Sequence, residues 1–485
     1  MHKSKSVQLI STFSEDEIRR FSEFLRSPYF NKNTRVAGLF DELKKDYPSF
    51  ESKSILKERI YGKLYKGKPY NEQVMKNLNS ELFRLLREFL SHDMFGRDRF
   101  EKSLKLIANL TTREALQLFE KETETTESFA RENRESVKEF YYLLNRIEEE
   151  KLANVIINNR QSESTIHILK AGEYLVIYFL KNIFRLLINH RINEFSFNAS
   201  SEVNLMDEFV SKLDINSILT YMEKHNIEHN IHLKLLYLAL MCNINVNDSE
   251  TYRKFKYLLF GSIEKFTRDE FQHLLHLLES IIAQKINSGM LEYYSDLFET
   301  YEYELKHDMY KPSRQQPLTI MKYRNIYLTA MKAGKFEWAE KFIHNYRDDL
   351  QKKDRQSIVD LSMAQLNFEK KNFEGTLKYL QKVKTSQIFY KIDVKILNLM
   401  ALYELSHFET ALSTIDSFRK MLVSNKTLTE QYSGKNRNFS AILSQLIKAK
   451  IDNTPGSRDE IVSRINETQQ LANRKWLISK AQELP

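Results

Sequence analysis

The chain has 485 residues, enough for about three ordinary domains or one long array of small repeated units. It holds only 11 glycines and 7 prolines, with no proline between Pro69 and Pro312, and so few turn formers lead us to expect an all-α fold. Apolar residues at 42% exclude wholesale disorder, and the net charge of +9 gathers at the ends, with 18 basic against 13 acidic residues in 1–95 and 12 against 7 in 411–485.

The opening MHKSKSVQLISTFSEDE has a basic start but no apolar run of signal-peptide length before Glu15 and Asp16, so no secretory leader is expected. Ser14 with Glu17 three residues on makes a capping box, and Ile18, Phe21, Phe24 and Leu25 follow at helical spacing until Pro28. A second helix is predicted from about Thr34 to Tyr47. A third is marked by Ile55, Leu56, Ile60, Tyr61 and Leu64 and stopped by Gly67 and Pro69. Asn71 can cap a fourth through Leu78, Leu82, Leu85 and Phe89, which completes an N-terminal helical domain over 1–95.

A middle region of paired helices is expected over 96–315, with helices at Leu104–Lys121, Ser128–Asn159, Ile166–His190, His232–Asn243, Arg268–Asn287 and Leu291–His307. The most apolar stretch, Tyr174–Ile188, is interrupted by Lys181 and Arg185, so it falls short of the about 20 apolar residues of a membrane span. The single cysteine, Cys242, excludes an internal disulfide and reads as a small core residue; it points to a reducing, cytoplasmic compartment.

Pro312 and Pro317 break the chain ahead of a segment that repeats itself over 316–485. AGKFEWAEKF from Ala333, KKNFEGTLKYL from Lys370 and LSHFETALSTI from Leu405 align, with Phe336, Phe373 and Phe408 spaced by 37 and 35 residues. Each aromatic is followed three residues later by a small side chain, Ala339, Thr376 or Ala411, where two helices must approach closely. The pattern resembles the tetratricopeptide repeat (TPR), whose period is about 34 residues. Two copies depart from it, with Lys371 and Ser406 at the position of Gly334. Through FSEFLRSPYFNKN, KLYKGKPYN, FEWAEKFI and RKWL the chain also resembles a helical-repeat family found in Bacteroidetes bacteria, which implies an architecture and no activity.

Four local patterns bear on chemistry. Gly62, Gly67 and Lys68 fit GxxxxGK, but Pro69 stands where a phosphate loop needs Ser or Thr, and a helix precedes it instead of a strand. His225, Glu228 and His229 spell HxxEH, with His232 following, a spacing that can present two imidazoles to a metal; the polar flanks read instead as solvated histidines at a helix junction. His273 and His276 share a face of an apolar helix and read as packing. Ser52–Leu90 superficially resembles the helical part of a winged-helix DNA-binding domain, but no strand pattern follows Leu90.

The expected protein is thus an all-α helical-repeat (TPR-like) solenoid with an N-terminal helical domain. Its expected role is that of a non-enzymatic scaffold or adaptor gripping a protein or peptide, with no cofactor, metal or membrane; the alternative is a nucleic-acid-binding regulator using the basic N-terminal domain. The TPR resemblance implies a concave groove lined by Arg324, Leu328 and Met331, then Leu361, Gln365 and Phe368, then Ile396, Met400 and Tyr403. With no complete copy after the last unit, a C-terminal helix containing Trp476 can cover some of these positions.

Overall fold

The computed structural model describes residues 4–50, 56–134, 139–197, 203–385, 387–425, 428–452 and 456–484, and every regular element among them is a helix. Ile55 and the stretch 135–138, both inside expected helices, lie outside the described residues. The chain divides into two compact units, Met1–Asn182 and Ile183–Pro485, the division falling within one long helix. No helix among the described residues is long and apolar enough to cross a membrane.

The first unit opens with α1 (Lys5–Ile10), which the sequence pattern did not single out, then α2 (Glu15–Arg26), α3 (Thr34–Lys44), α4 (Lys57–Leu64) and α5 (Glu72–Arg97). The Ser14 hydroxyl accepts from the Glu17 N–H at 3.2 Å while the Glu17 carboxylate accepts from the Ser14 N–H at 2.8 Å, so the expected capping box starts α2. Asn71 caps α5 through the Val74 N–H. The α5 stripe Met75, Leu78, Leu82, Leu85, Leu86 and Phe89 is buried against α1, α2 and α3. There Phe21 meets Phe40 edge-on at 4.8 Å and Phe89 at 5.2 Å. A Cβ on Gly38 would stand 2.8 Å from the Leu64 side chain, so the absence of one lets α4 close onto α3.

The unit continues through α6 (Arg99–Thr112), α7 (Leu116–Glu132), α8 (Phe140–Ile157) and the start of α9 (Ser164–Phe197). The single helix expected over Leu104–Lys121 is in fact two, because Glu114 adopts a left-handed φ of 54° and the Ala115 N–H turns back to the Leu110 carbonyl at 3.1 Å. Apolar spacing runs on across the stop, which is why periodicity alone merged the two helices. A buried ionic cluster ties α7, α8 and α9 together. Glu148 meets the Lys151 ammonium at 2.9 Å and His167 Nδ1 at 2.7 Å, and Lys151 also reaches Glu127 at 2.8 Å.

The second unit holds α10 (Leu205–Ser211), α11 (Ile215–Lys224), α12 (Asn230–Ile244), α13 (Ser249–Phe260), α14 (Arg268–Asn287) and α15 (Tyr294–Lys306). Then come α16 (Ile320–Lys332), α17 (Phe336–Asn345), α18 (Arg355–Glu369), α19 (Phe373–Leu380), α20 (Ile388–Glu404) and α21 (Phe408–Ser424), closed by α22 (Glu430–Asp452), α23 (Ser457–Glu467) and α24 (Arg474–Gln482). From α14 to α24 most helices pack on the next in sequence; α16 also meets α18, and α18 meets α20. Ala339, Thr376 and Ala411 are fully buried, as expected for close contacts. Cys242 is buried too, and burial pushes its thiol up to about 12.

One stop signal recurs. Glu114, Asn159, Asn226, Gly289, Asp308, Gly334, Lys371 and Ser406 are all left-handed, and after each the next N–H bonds back to a carbonyl five residues earlier. Six of these eight are not glycine, so the chain ends its helices despite holding only 11 glycines. Gly334, Lys371 and Ser406 have φ of 76°, 60° and 58°: the aligned position keeps one conformation whatever its side chain.

Candidate functional site

The nine groove positions fall on α16, α18 and α20. None is fully exposed, and four are corrected by the structure: Met331 and Leu361 are each 4% exposed, Met400 8% and Tyr403 5%. The reason lies in α18, which packs against α16, α17, α19 and α20 together. Val359, Leu361, Met363, Ala364 and Leu366 are all buried, so no apolar face of that helix is left to line a groove. Tyr403 lies under the C-terminal helix, its ring edge-on to Trp476 at 5.4 Å, while Trp476 Nε1 donates to Glu404 at 2.8 Å.

The other five, Arg324, Leu328, Gln365, Phe368 and Ile396, are half-buried. Two already have internal partners. Arg324 donates to Asp393 at 2.7 Å, bridging α16 to α20, and the Tyr327 hydroxyl donates to the Gln365 carbonyl oxygen. Phe368 packs edge-on against Phe373 at 5.3 Å.

Leu328 is placed differently. It lines a cavity of about 530 Å³ between α14, α15 and α16, with Ala283, Ile286 and Leu297 as apolar wall and Asn287, Asn325 and Lys332 as polar rim. Sequence comparison of the repeats missed this site, because α14 and α15 carry no copy of the aromatic signature that aligned the later units.

Beside the cavity lies a buried charge cluster. Lys322 Nζ stands 2.8 Å from Glu279 and 2.6 Å from Glu304, and 4.6 Å from the centre of the Tyr301 ring. Burial opposes ionisation of both carboxyls. At Glu279 the Lys322 ammonium and hydrogen bonds from Glu304 and Lys322 overcome it and hold the carboxyl below the usual range. At Glu304 burial wins over Lys322 and, helped by the Glu279 charge, leaves the carboxyl well above that range. Such divergence suits acid–base catalysis; Glu304 itself is 1% exposed and does not line the cavity, whereas Glu279 and Tyr301 of the cluster do. The trio joins three helices.

The remaining motifs resolve simply. Helix α4 precedes Gly67 and Lys68, so the GxxxxGK match is a turn between helices. Leu78, Leu82, Leu85 and Phe89 are core, and α5 runs on to Arg97 and is followed by α6, with no wing strand among the described residues. His273 and His276 are exposed on α14, which corrects the expectation that they pack in the core. In HxxEH, His225 is exposed at the end of α11, with its ring 4.3 Å from that of Tyr221. The expectation of solvated histidines is corrected at the other two positions, whose side chains are only 7% (His229) and 5% (His232) exposed. Left-handed turns at Asn226 and His229 fold that segment inward.

Compared with family models, curated proteins and solved structures, the chain matches none.

Proposed function

We propose that the chain is a non-enzymatic scaffold whose C-terminal half is a TPR-like helical stack and whose partner is a protein or peptide. The TPR-like reading is supported by the left-handed stops at Gly334, Lys371 and Ser406 and by the buried small residues Ala339, Thr376 and Ala411, both at matching repeat positions. The observation that carries the binding reading is the open cavity at Leu328. An apolar wall of leucine, isoleucine and alanine under a rim of Asn287, Asn325 and Lys332 suits one anchoring apolar side chain of a peptide, with its backbone hydrogen-bonded at the rim.

The groove is accordingly smaller than the nine positions implied. Its working part is Leu328, the one of the nine that lines the cavity. The reading is tested by affinity capture with the intact chain, followed by the same capture with Leu328→Glu. A partner retained by the wild type and lost by a variant of unchanged helical spectrum and melting temperature supports it. A partner that binds both equally would refute the cavity as the site.

A further inference from the structure

We infer that His229, His232 and Glu270 form a binding site for one late first-row divalent cation, zinc by preference, which fastens the start of α12 to the first turn of α14. One ligand atom from each of the three lies within 4.8 Å of the others. The trio arises from local structure. His229 precedes α12 in a left-handed conformation, and three residues on His232 comes back to the same side, the two ring centres 6.4 Å apart.

Glu270 arrives from α14, where a second capping box fixes it. Its Oε2 accepts the Thr267 N–H at 3.3 Å, while Oε1 stands 3.8 Å from His232 Nδ1. The three side chains are 7%, 5% and 17% exposed, and Phe266 stands edge-on to His232 at 5.4 Å as an apolar wall.

Two imidazoles and one carboxylate are the donor set of zinc-like ions, whereas calcium and magnesium take oxygen ligands. Bonds of about 2.0–2.2 Å in a tetrahedron set donors about 3.3–3.6 Å apart, so the trio must close by about 1 Å on binding. The positive ends of two helices disfavour a bare cation here. Glu228, with Oε1 3.5 Å from His229 Nε2, adds a second carboxylate beside the trio to offset them. Sequence spacing could not find this set, because it pairs His229 with His225, which points elsewhere, and the third ligand lies on another helix.

The site is tested by titrating the full-length, tag-free chain with Zn²⁺ and with Co²⁺, following heat, visible absorption and bound metal per chain. We expect one cation per chain, with intense tetrahedral Co²⁺ bands. Affinity should fall at least tenfold in His229→Ala and in Glu270→Gln, which can still complete the capping box but loses the anionic ligand; His225→Ala should bind normally. Absence of saturable binding in the wild type, or equal binding in the His229→Ala/Glu270→Gln double variant, would overturn the site and leave a hydrogen-bonded cluster. Ca²⁺ or Mg²⁺ competing as well as Zn²⁺ would overturn the assigned class. None of these outcomes depends on whether the Leu328 cavity binds a partner.

Discussion

The recurring left-handed stop makes a prediction in which one substitution has opposite signs at two sites. Gly334 and Gly172 are both exposed, and a Cβ added at either would meet nothing within 4 Å. Only backbone conformation separates them: Gly334 has φ of 76°, whereas Gly172 lies inside α9 without a positive φ. At Gly334 an alanine costs about 1–2 kcal/mol in left-handed strain, offset by about 0.4–1 kcal/mol from a less flexible unfolded chain, a net loss of about 1 kcal/mol. At Gly172 the same change should gain about 0.5–1 kcal/mol, the helix-propensity difference. By the same reasoning Lys371→Gly and Ser406→Gly relieve strain at φ of 60° and 58° and should each add about 0.5–1 kcal/mol. Urea denaturation followed by circular dichroism gives each shift as a change in midpoint at constant slope. Shifts of the same sign for Gly334→Ala and Gly172→Ala would refute the claim that backbone conformation sets these stops.

Ala339→Leu should destabilise by about 1–3 kcal/mol, since the site is fully buried; wild-type stability in that variant would sink the close-contact reading of the repeats. Tyr403→Ala should cost about 3–5 kcal/mol, because its ring is packed between Phe408 and Trp476, and a neutral effect on melting would return it to the surface. Glu279, with its depressed value, contributes stability that is lost as pH falls through that value. Glu304, with its raised value, contributes stability present at low pH and lost as pH rises through it. Glu304→Gln, which mimics the protonated form, should therefore flatten the alkaline limb of the stability profile, and an unchanged profile would show that Glu304 is ionised throughout. Duplex DNA should bind only weakly, with steep salt dependence and no sequence preference, in a gel-shift titration; tight binding at physiological salt would favour the regulator reading.

Helix existence was legible wherever apolar spacing coincided with a cap. Ser14 and Glu17, Asn71 and the run Arg268–Asn287 all lie where the pattern put them. Helix ends were harder to read, because this chain stops helices at Glu114, Asp308, Lys371 and Ser406, residue types that are common within helices and carry no stop signal of their own. The apolar stripe continues through Glu114, so the break there depends on a hydrogen bond between Ala115 and Leu110 that periodicity does not encode. Helix α1 is short, with only Val7 and Ile10 as buried apolar residues, too little to register as a repeating pattern.

The candidate groove failed for a related reason. A repeat alignment assigns the same role to equivalent positions, but burial of a first helix depends on what stands on both sides of it. Leu361 belongs to a helix enclosed by four neighbours, and Tyr403 to one capped by α24, whereas Leu328 faces α14 and α15, whose side chains leave a cavity. Polar residues deepen the ambiguity. Lys285 is fully buried, bonded to the Val246 carbonyl and set over the rings of Tyr252 and Tyr293, although lysine on a helix ordinarily marks a solvated face. Glu279 and Lys322 likewise carry charge inside the stack. Removing one partner of such a cluster leaves an uncompensated buried charge, at a cost of about 3–5 kcal/mol. A slip of one helix past the next would separate the same partners, so these clusters favour one register of α14 on α15 and α16 over its neighbours. Glu279 both pairs with Lys322 and lines the cavity that Leu328 lines, so Glu279→Gln should weaken partner capture there, and capture equal to that of the wild type would refute the link between the cluster and the cavity.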